Sequence, residues 1–155
     1  MAILHIQSNS PKRTQEIGSI IGKLTKPNDL ILLSGILGSG KTCLTQGIAR
    51  GLDINEYTLS PTFVLVREYY GRLQLYHIDL YRLDSSDDMM SIGLDDYIYG
   101  NGVCVIEWAE KGANILPASN LSIQFSYLSH HERDIQIEAH GERYEQLLKT
   151  AAESL

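Results

Sequence analysis

A chain of 155 residues, 43% hydrophobic and 21% charged, is long enough to bury a sizeable core and has neither the composition of a disordered segment nor that of a fibre. Its formal net charge of −6 argues against a protein that grips nucleic acid alone, because neutralising a phosphate backbone takes a basic surface. Its two cysteines, Cys43 and Cys104, match no zinc or redox spacing, no apolar run approaches the roughly 18 residues that cross a bilayer, and the first residues lack the charged start and apolar core of a leader, so reduced thiols and a cytoplasmic location are expected.

In chain order, Ala2 to Ser8 alternate weakly and predict a strand. Ser10-Pro11 reads as a helix start, serine as N-cap and proline at the first helical position, with Ile17, Ile20, Ile21 and Leu24 forming one apolar face. Leu30 to Ser34 is a continuous apolar run, as in a strand buried on both faces. A glycine loop follows, then a helix over Thr42 to Arg50 that Gly51 stops. Phe63 to Glu68 and Leu73 to Tyr81 predict a hairpin turning at Tyr70 to Arg72. A helix is expected to start at Asp84 to Asp88 and run through Leu94. Val103 to Trp108 reads as a second buried strand that carries an acid, Glu107, at its end. Leu121 to Tyr127 and Ile135 to Ala139 alternate about the polar turn Ser129 to Glu132, a second hairpin. Glu142 to Leu155 reads as a closing helix with Tyr144, Leu147, Leu148 and Ala151 on one face. The expected fold is α/β in one domain over 1–155: a mixed sheet, parallel near the glycine loop, with antiparallel hairpins added and helices on its faces.

Gly35 to Thr42 spell G-x-x-x-x-G-K-T. Glycines at 35, 38 and 40 allow backbone conformations that a Cβ obstructs, so loop amides can converge on phosphate oxygens at the positive end of the next helix. Lys41 would add a charge toward the β- and γ-phosphates, and the Thr42 hydroxyl would hold Mg2+. With glycine near 7% of residues, the pattern arises by chance in on the order of half a per cent of chains this long; strand, loop and helix in the right order make chance a poorer account still. Glu107, after the apolar V-C-V-I, is placed as a Walker-B acid emerging at the carboxyl edge of the sheet. In Y-H-I-D-L-Y-R, 76 to 82, an extended chain puts His77, Asp79 and Tyr81 on one face. That is either a second acid for the metal or the solvated face of an edge strand. In S-P-T-F, 60 to 63, a hydroxyl in a stiff loop reads as a γ-phosphate sensor or as an ordinary turn. Arg67, Arg82 and Arg133 are unranked candidates for transition-state charge. Trp108 reads equally as a core residue or a partner contact. No N-K-x-D or D-x-x-G string occurs, which favours adenine over guanine nucleotides.

Together, G-I-L-G-S-G-K-T, S-P-T-F-V-L-V, L-Y-H-I-D-L-Y-R-L, I-G-L-D-D-Y and G-V-C-V-I-E-W-A-E-K, in that order, resemble the TsaE (YjeE) family of bacterial P-loop ATPases. The resemblance spans roughly residues 10 to 140. It implies a P-loop NTPase-like fold and Mg2+-dependent ATP hydrolysis within tRNA threonylcarbamoyladenosine biosynthesis, raised by TsaD-type and TsaB-type partner proteins, with tRNA contacted through the complex and no membrane. It matches Gly38, Ser39, Gly40, Lys41, Thr42 and Cys43 to the ATP loop, Thr42, Glu107 and Asp79 to the metal, and Thr62 to a switch-like loop. Ser10 and Arg133 are placed as nucleotide neighbours. The family usually has an acid at position 36, a threonine at 43 and a proline at 109, where this chain has Ile36, Cys43 and Ala109. Two other classes fit the loop: a small-molecule kinase, though no arginine-rich lid is present, and a nucleotide-gated scaffold with little hydrolysis.

Overall fold

The computed structural model describes residues 2–36, 38–56 and 65–155. Seven strands form one sheet in the order β1-β7-β6-β2-β5-β4-β3: β1 (Ala2–Ser8), β2 (Leu30–Ser34), β3 (Val66–Tyr70), β4 (Gln74–Asp79), β5 (Val103–Glu107), β6 (Asn120–Tyr127) and β7 (Arg133–His140). The central strands are parallel, with β2 between β5 and β6 and β4 beside β5. The two hairpins and β1 add antiparallel strands at both margins. This is the mixed sheet that the patterning implies.

Alternation along the buried strands divides the core between two faces. Ile31, Leu33, Val105 and Ile123 face a layer made by α1 (Pro11–Leu24), α2 (Lys41–Gly51) and α5 (Glu142–Ala152). Leu30, Leu32, Ile78, Cys104 and Ile106 face the short helices α3 (Ser86–Ser91) and α4 (Leu94–Ile98). Ser10 caps α1 by accepting from the Arg13 amide, with Pro11 at the first helical position, as its sequence requires. The far end of the sheet is tied by Arg143, which donates from two nitrogens to the buried Asp29 at 3.0 and 2.6 Å.

Helices α1 and α2 pack backbone against backbone. A Cβ on Gly47 would overlap the Gln15 carbonyl, and one on Gly51 the Ser19 carbonyl; in return, Gly18 faces the Leu44 carbonyl and Gly22 that of Ile48. Two glycines four apart on each helix therefore set how near α2 lies to α1. The hairpin turn docks on the same pair: the Arg72 amide donates to the Leu52 carbonyl at 2.6 Å and its guanidinium to that of Gly22 at 2.9 Å.

Three expectations need correction. The helix expected from Asp84–Asp88 through Leu94 is two helices, because Gly93 sits at φ +77, outside the right-handed region. Strand β4 ends at Asp79, so Tyr81 leaves the face of His77; the Asp79 carboxylate accepts from the Tyr81 amide at 2.8 Å and turns the chain there. The first hairpin strand starts at Val66, after Leu65 at φ 69, while Phe63 and Val64 lie outside the described residues. Strand β4 is also interior, between β5 and β3, which removes the solvated edge-strand alternative for His77 and Asp79.

Replacing Gly47 with alanine forces the two helices apart. A loss of about 1–3 kcal/mol is expected, typical of overpacking, read as a lower urea midpoint and a lower Tm. An unchanged midpoint would show that the seam is looser than described.

Candidate functional site

Because β2 and β5 run parallel and pair Leu33 with Glu107, the loop that leaves β2 and the acid that ends β5 emerge at one edge of the sheet. In the loop Gly35, Gly38 and Gly40 have φ of +146, +77 and +115, left-handed values that side chains disfavour. Strand β6 supports it from below: the Phe125 ring lies 3.5 Å from where a Gly40 Cβ would be, and the Tyr127 hydroxyl donates to the Gly38 carbonyl at 3.0 Å. Gly40 caps α2 without a side chain, so no capping side-chain oxygen covers the first amides of the helix. Beside them the Ser39 hydroxyl, 1% exposed, has no hydrogen-bond partner among the described residues. A buried orphan hydroxyl at an uncapped helix start fits an anion.

Lys41 is buried. Its ammonium donates to the Gly35 carbonyl, and to that of Ile36 at 3.1 Å, and lies 3.9 Å from the Trp108 ring centroid. Burial lowers its pKa, opposed by Glu107, then Glu110, then Asp79. Trp108 is half-buried and packs against the core on the α3–α4 side of the sheet as well as over Lys41. Its backbone is left-handed, φ 57, which turns its ring onto Lys41 and against Tyr81, 4.8 Å away between centroids.

Thr42 Oγ1 lies 3.2 and 3.3 Å from the two carboxylate oxygens of Glu107, itself 3% exposed. Asp79 is the register partner of Glu107 on β4 and is equally buried, so two acids stand on neighbouring strands, with Glu107 at the Thr42 hydroxyl. Hydroxyl and carboxylate oxygens are the hard donors that Mg2+ takes. A hydroxyl that gives its proton to a carboxylate also keeps its lone pairs for a cation. His77 Nε2 contacts Glu107 Oε2, a contact that the alternation of β4 did not reveal.

Gly38, Ser39, Gly40 and Cys43 also line a cavity of about 260 Å³. Its other wall brings in Ser10, the N-cap of α1, and Arg133, the first residue of β7. Arg133 is held over the Tyr127 ring, 3.8 Å from its centroid, and donates to the carbonyls of Ser129, His130 and Glu132. The motifs missed Ser8, Thr14, His130 and His131 in this wall; the His130-His131 pair in a polar turn was the signal available. Of the other arginines, Arg82 is exposed, while Arg67 lies opposite His77 with a buried Nε that has no partner among the described residues. Thr62 and the rest of S-P-T-F lie outside the described residues. Ile36, where an acid was noted as usual, is 61% exposed at the loop mouth. No helix among the described residues is long and apolar enough to cross a membrane.

A family model described as threonylcarbamoyl adenosine biosynthesis protein TsaE matches residues 8–135. A Treponema pallidum protein named tRNA threonylcarbamoyladenosine biosynthesis protein TsaE is 43% identical over 130 residues, covering 84% of this chain and 96% of its own. A Bacillus subtilis protein of the same name is 42% identical over 139 residues, 89% and 87% of the two chains. The crystal structure of Bacillus subtilis YdiB superposes with a TM-score of 0.87 at 36% identity, over 99% of this chain and 96% of that one.

Burial raises the Cys43 thiol pKa, and its Sγ donates to the Pro11 carbonyl at 3.2 Å. A raised pKa means less thiolate near pH 8. Cys43 is expected to react with iodoacetamide more slowly than a free cysteine peptide, and the fully buried Cys104 only on unfolding. Mass spectrometry of timed digests reads both rates.

Proposed function

The chain belongs to the TsaE family, a family of tRNA threonylcarbamoyladenosine biosynthesis, and we propose that its part there is to bind ATP with Mg2+ and hydrolyse it under the control of TsaD-type and TsaB-type partner proteins. The observation that carries this reading is the meeting of Thr42 and Glu107 at 3.2 Å where α2 begins. There the end of one strand supplies the metal's acid, and the loop after its neighbour supplies the metal's hydroxyl.

In this reading the uncapped amides of α2, the Ser39 hydroxyl and Lys41 take the phosphates, and Thr42, Glu107 and Asp79 hold Mg2+ directly or through its water shell. Mg2+ held there would supply Lewis-acid stabilisation of the negative charge that develops as the terminal phosphoryl group passes from ADP to water. The chain's own residues do the remainder. Burial lowers the Lys41 pKa, and Glu107, Glu110 and Asp79 oppose that lowering and so favour its charged form beside the phosphates. The buried carboxylates orient water, and the apolar surroundings exclude more of it. Ser10, Cys43, His130, His131 and Arg133 would border the ribose and base, since they line the cavity that adjoins the loop. Thr62 is assigned to a γ-phosphate sensor on sequence alone. The net charge of −6 supports contact with tRNA through the partners rather than directly.

Phosphate release from ATP, with and without the TsaD and TsaB proteins of the same organism, tests this. A clear rise on mixing is expected, and Lys41→Ala and Glu107→Gln should each lower the rate by about 100-fold or more, the scale for losing one preorganised charge-stabilising group. Glu107→Gln turning over at the wild-type rate would overturn the assignment. A phosphorylated acceptor in place of free phosphate would show a kinase.

A further inference from the structure

Glu107 is held from two sides, by Thr42 at the head of α2 and by His77 on β4. We propose that His77 is a positioning residue for the metal: it fixes the Glu107 carboxylate in the orientation in which that acid and Thr42 together receive Mg2+. This rests on the reading of the site as one for Mg-ATP.

The parallel register sets the geometry. His77 pairs with Val105 and Asp79 with Glu107, so His77 shares the face of both acids but sits two residues deeper in the strand. Its ring reaches along the sheet to Glu107 Oε2 while Asp79 stands beside the same carboxylate. His77 is 0% exposed, on the face of Leu75 and Val105, with Nδ1 lacking a partner among the described residues. An apolar side chain would fill that space without burying an unpaired nitrogen, so packing alone does not account for histidine here. A carboxylate oxygen in this contact accepts, which places a ring hydrogen on Nε2. The ring thus acts as a fixed donor, the kind of outer partner that orients a metal's ligand. Without it the carboxylate is free to turn about its own side-chain torsions toward Lys41, whose charge feels Glu107. Thr42 alone would then have to hold it.

The test uses the full chain with a fluorescent ATP analogue, titrated with Mg2+, for wild type, His77→Leu, His77→Gln and Glu107→Gln. His77→Leu is expected to raise the Mg2+ concentration at half-maximal effect by about 10-fold or more, the scale for removing an outer partner, with affinity in EDTA unchanged. His77→Gln, whose amide nitrogen can occupy the Nε2 position, is expected to recover most of the loss. A wild-type Mg2+ midpoint in His77→Leu, or a glutamine variant as impaired as the leucine one, overturns the role of His77. A wild-type chain with no Mg2+-dependent gain in affinity overturns the reading of the whole site and this role with it. If His77→Leu does not fold, long-range 1H–15N NMR of the wild-type imidazole decides: an Nε2–H ring is expected, and an Nδ1–H ring overturns the proposal.

Discussion

The parallel pairing of β2 with β5 is the constraint on which the site depends. Two parallel neighbours deliver their carboxyl ends to the same edge. Here that edge receives a glycine loop from one strand and an acid from the other, and β4, parallel again, adds a second acid in register. No side chain needs to travel for these groups to meet. The same edge is dry, since Lys41, Asp79, His77 and Glu107 are all buried, so the attractions among them are stronger than they would be in water.

Position along the edge is set separately, by the glycine seam. The loop leads into α2, and the close approach of α2 to α1 is set by backbone contact at the four glycines, with Ile17, Ile21, Leu44 and Ile48 packed in the same cluster. Because α1 begins at Ser10, the seam also fixes the distance from the loop to the wall that Ser10 helps build. On the other flank Phe125 and Tyr127 support the loop from β6. Tyr127 carries Arg133 on its ring, so the support of the glycine loop and the rim of the cavity are one assembly.

The loop, the two buried strands and the second hairpin were legible in the sequence because each is written locally: glycine spacing, an unbroken apolar run, a period of two. What depended on a distant partner was not. The glycines at 18, 22, 47 and 51 have meaning only once the helices face each other. The His77–Glu107 contact joins residues 30 apart and needs the strand register. The end of β4 was misplaced because the Asp79 side chain, and no turn residue, bends the chain. Gly93 was readable as a helix break, yet the apolar residues on both sides gave a continuous face that concealed it. Ser10 was placed beside the nucleotide by resemblance, since its own neighbourhood marks it only as a helix cap, and no local pattern ranks Arg133 above the other arginines.

Trp108 has a consequence for how this protein would respond to selection. A tryptophan at φ 57 holds a conformation that glycine adopts without strain, and such a residue costs on the order of 1 kcal/mol or more. Its ring nevertheless covers the loop lysine and packs on Tyr81. Backbone strain and side-chain packing thus oppose each other at a single position. Exchanging Trp108 for glycine would relax that backbone but forfeit the ring's packing on Tyr81 and the core as well as its cover of Lys41, so selection for heat resistance and selection for the loop would both retain the tryptophan.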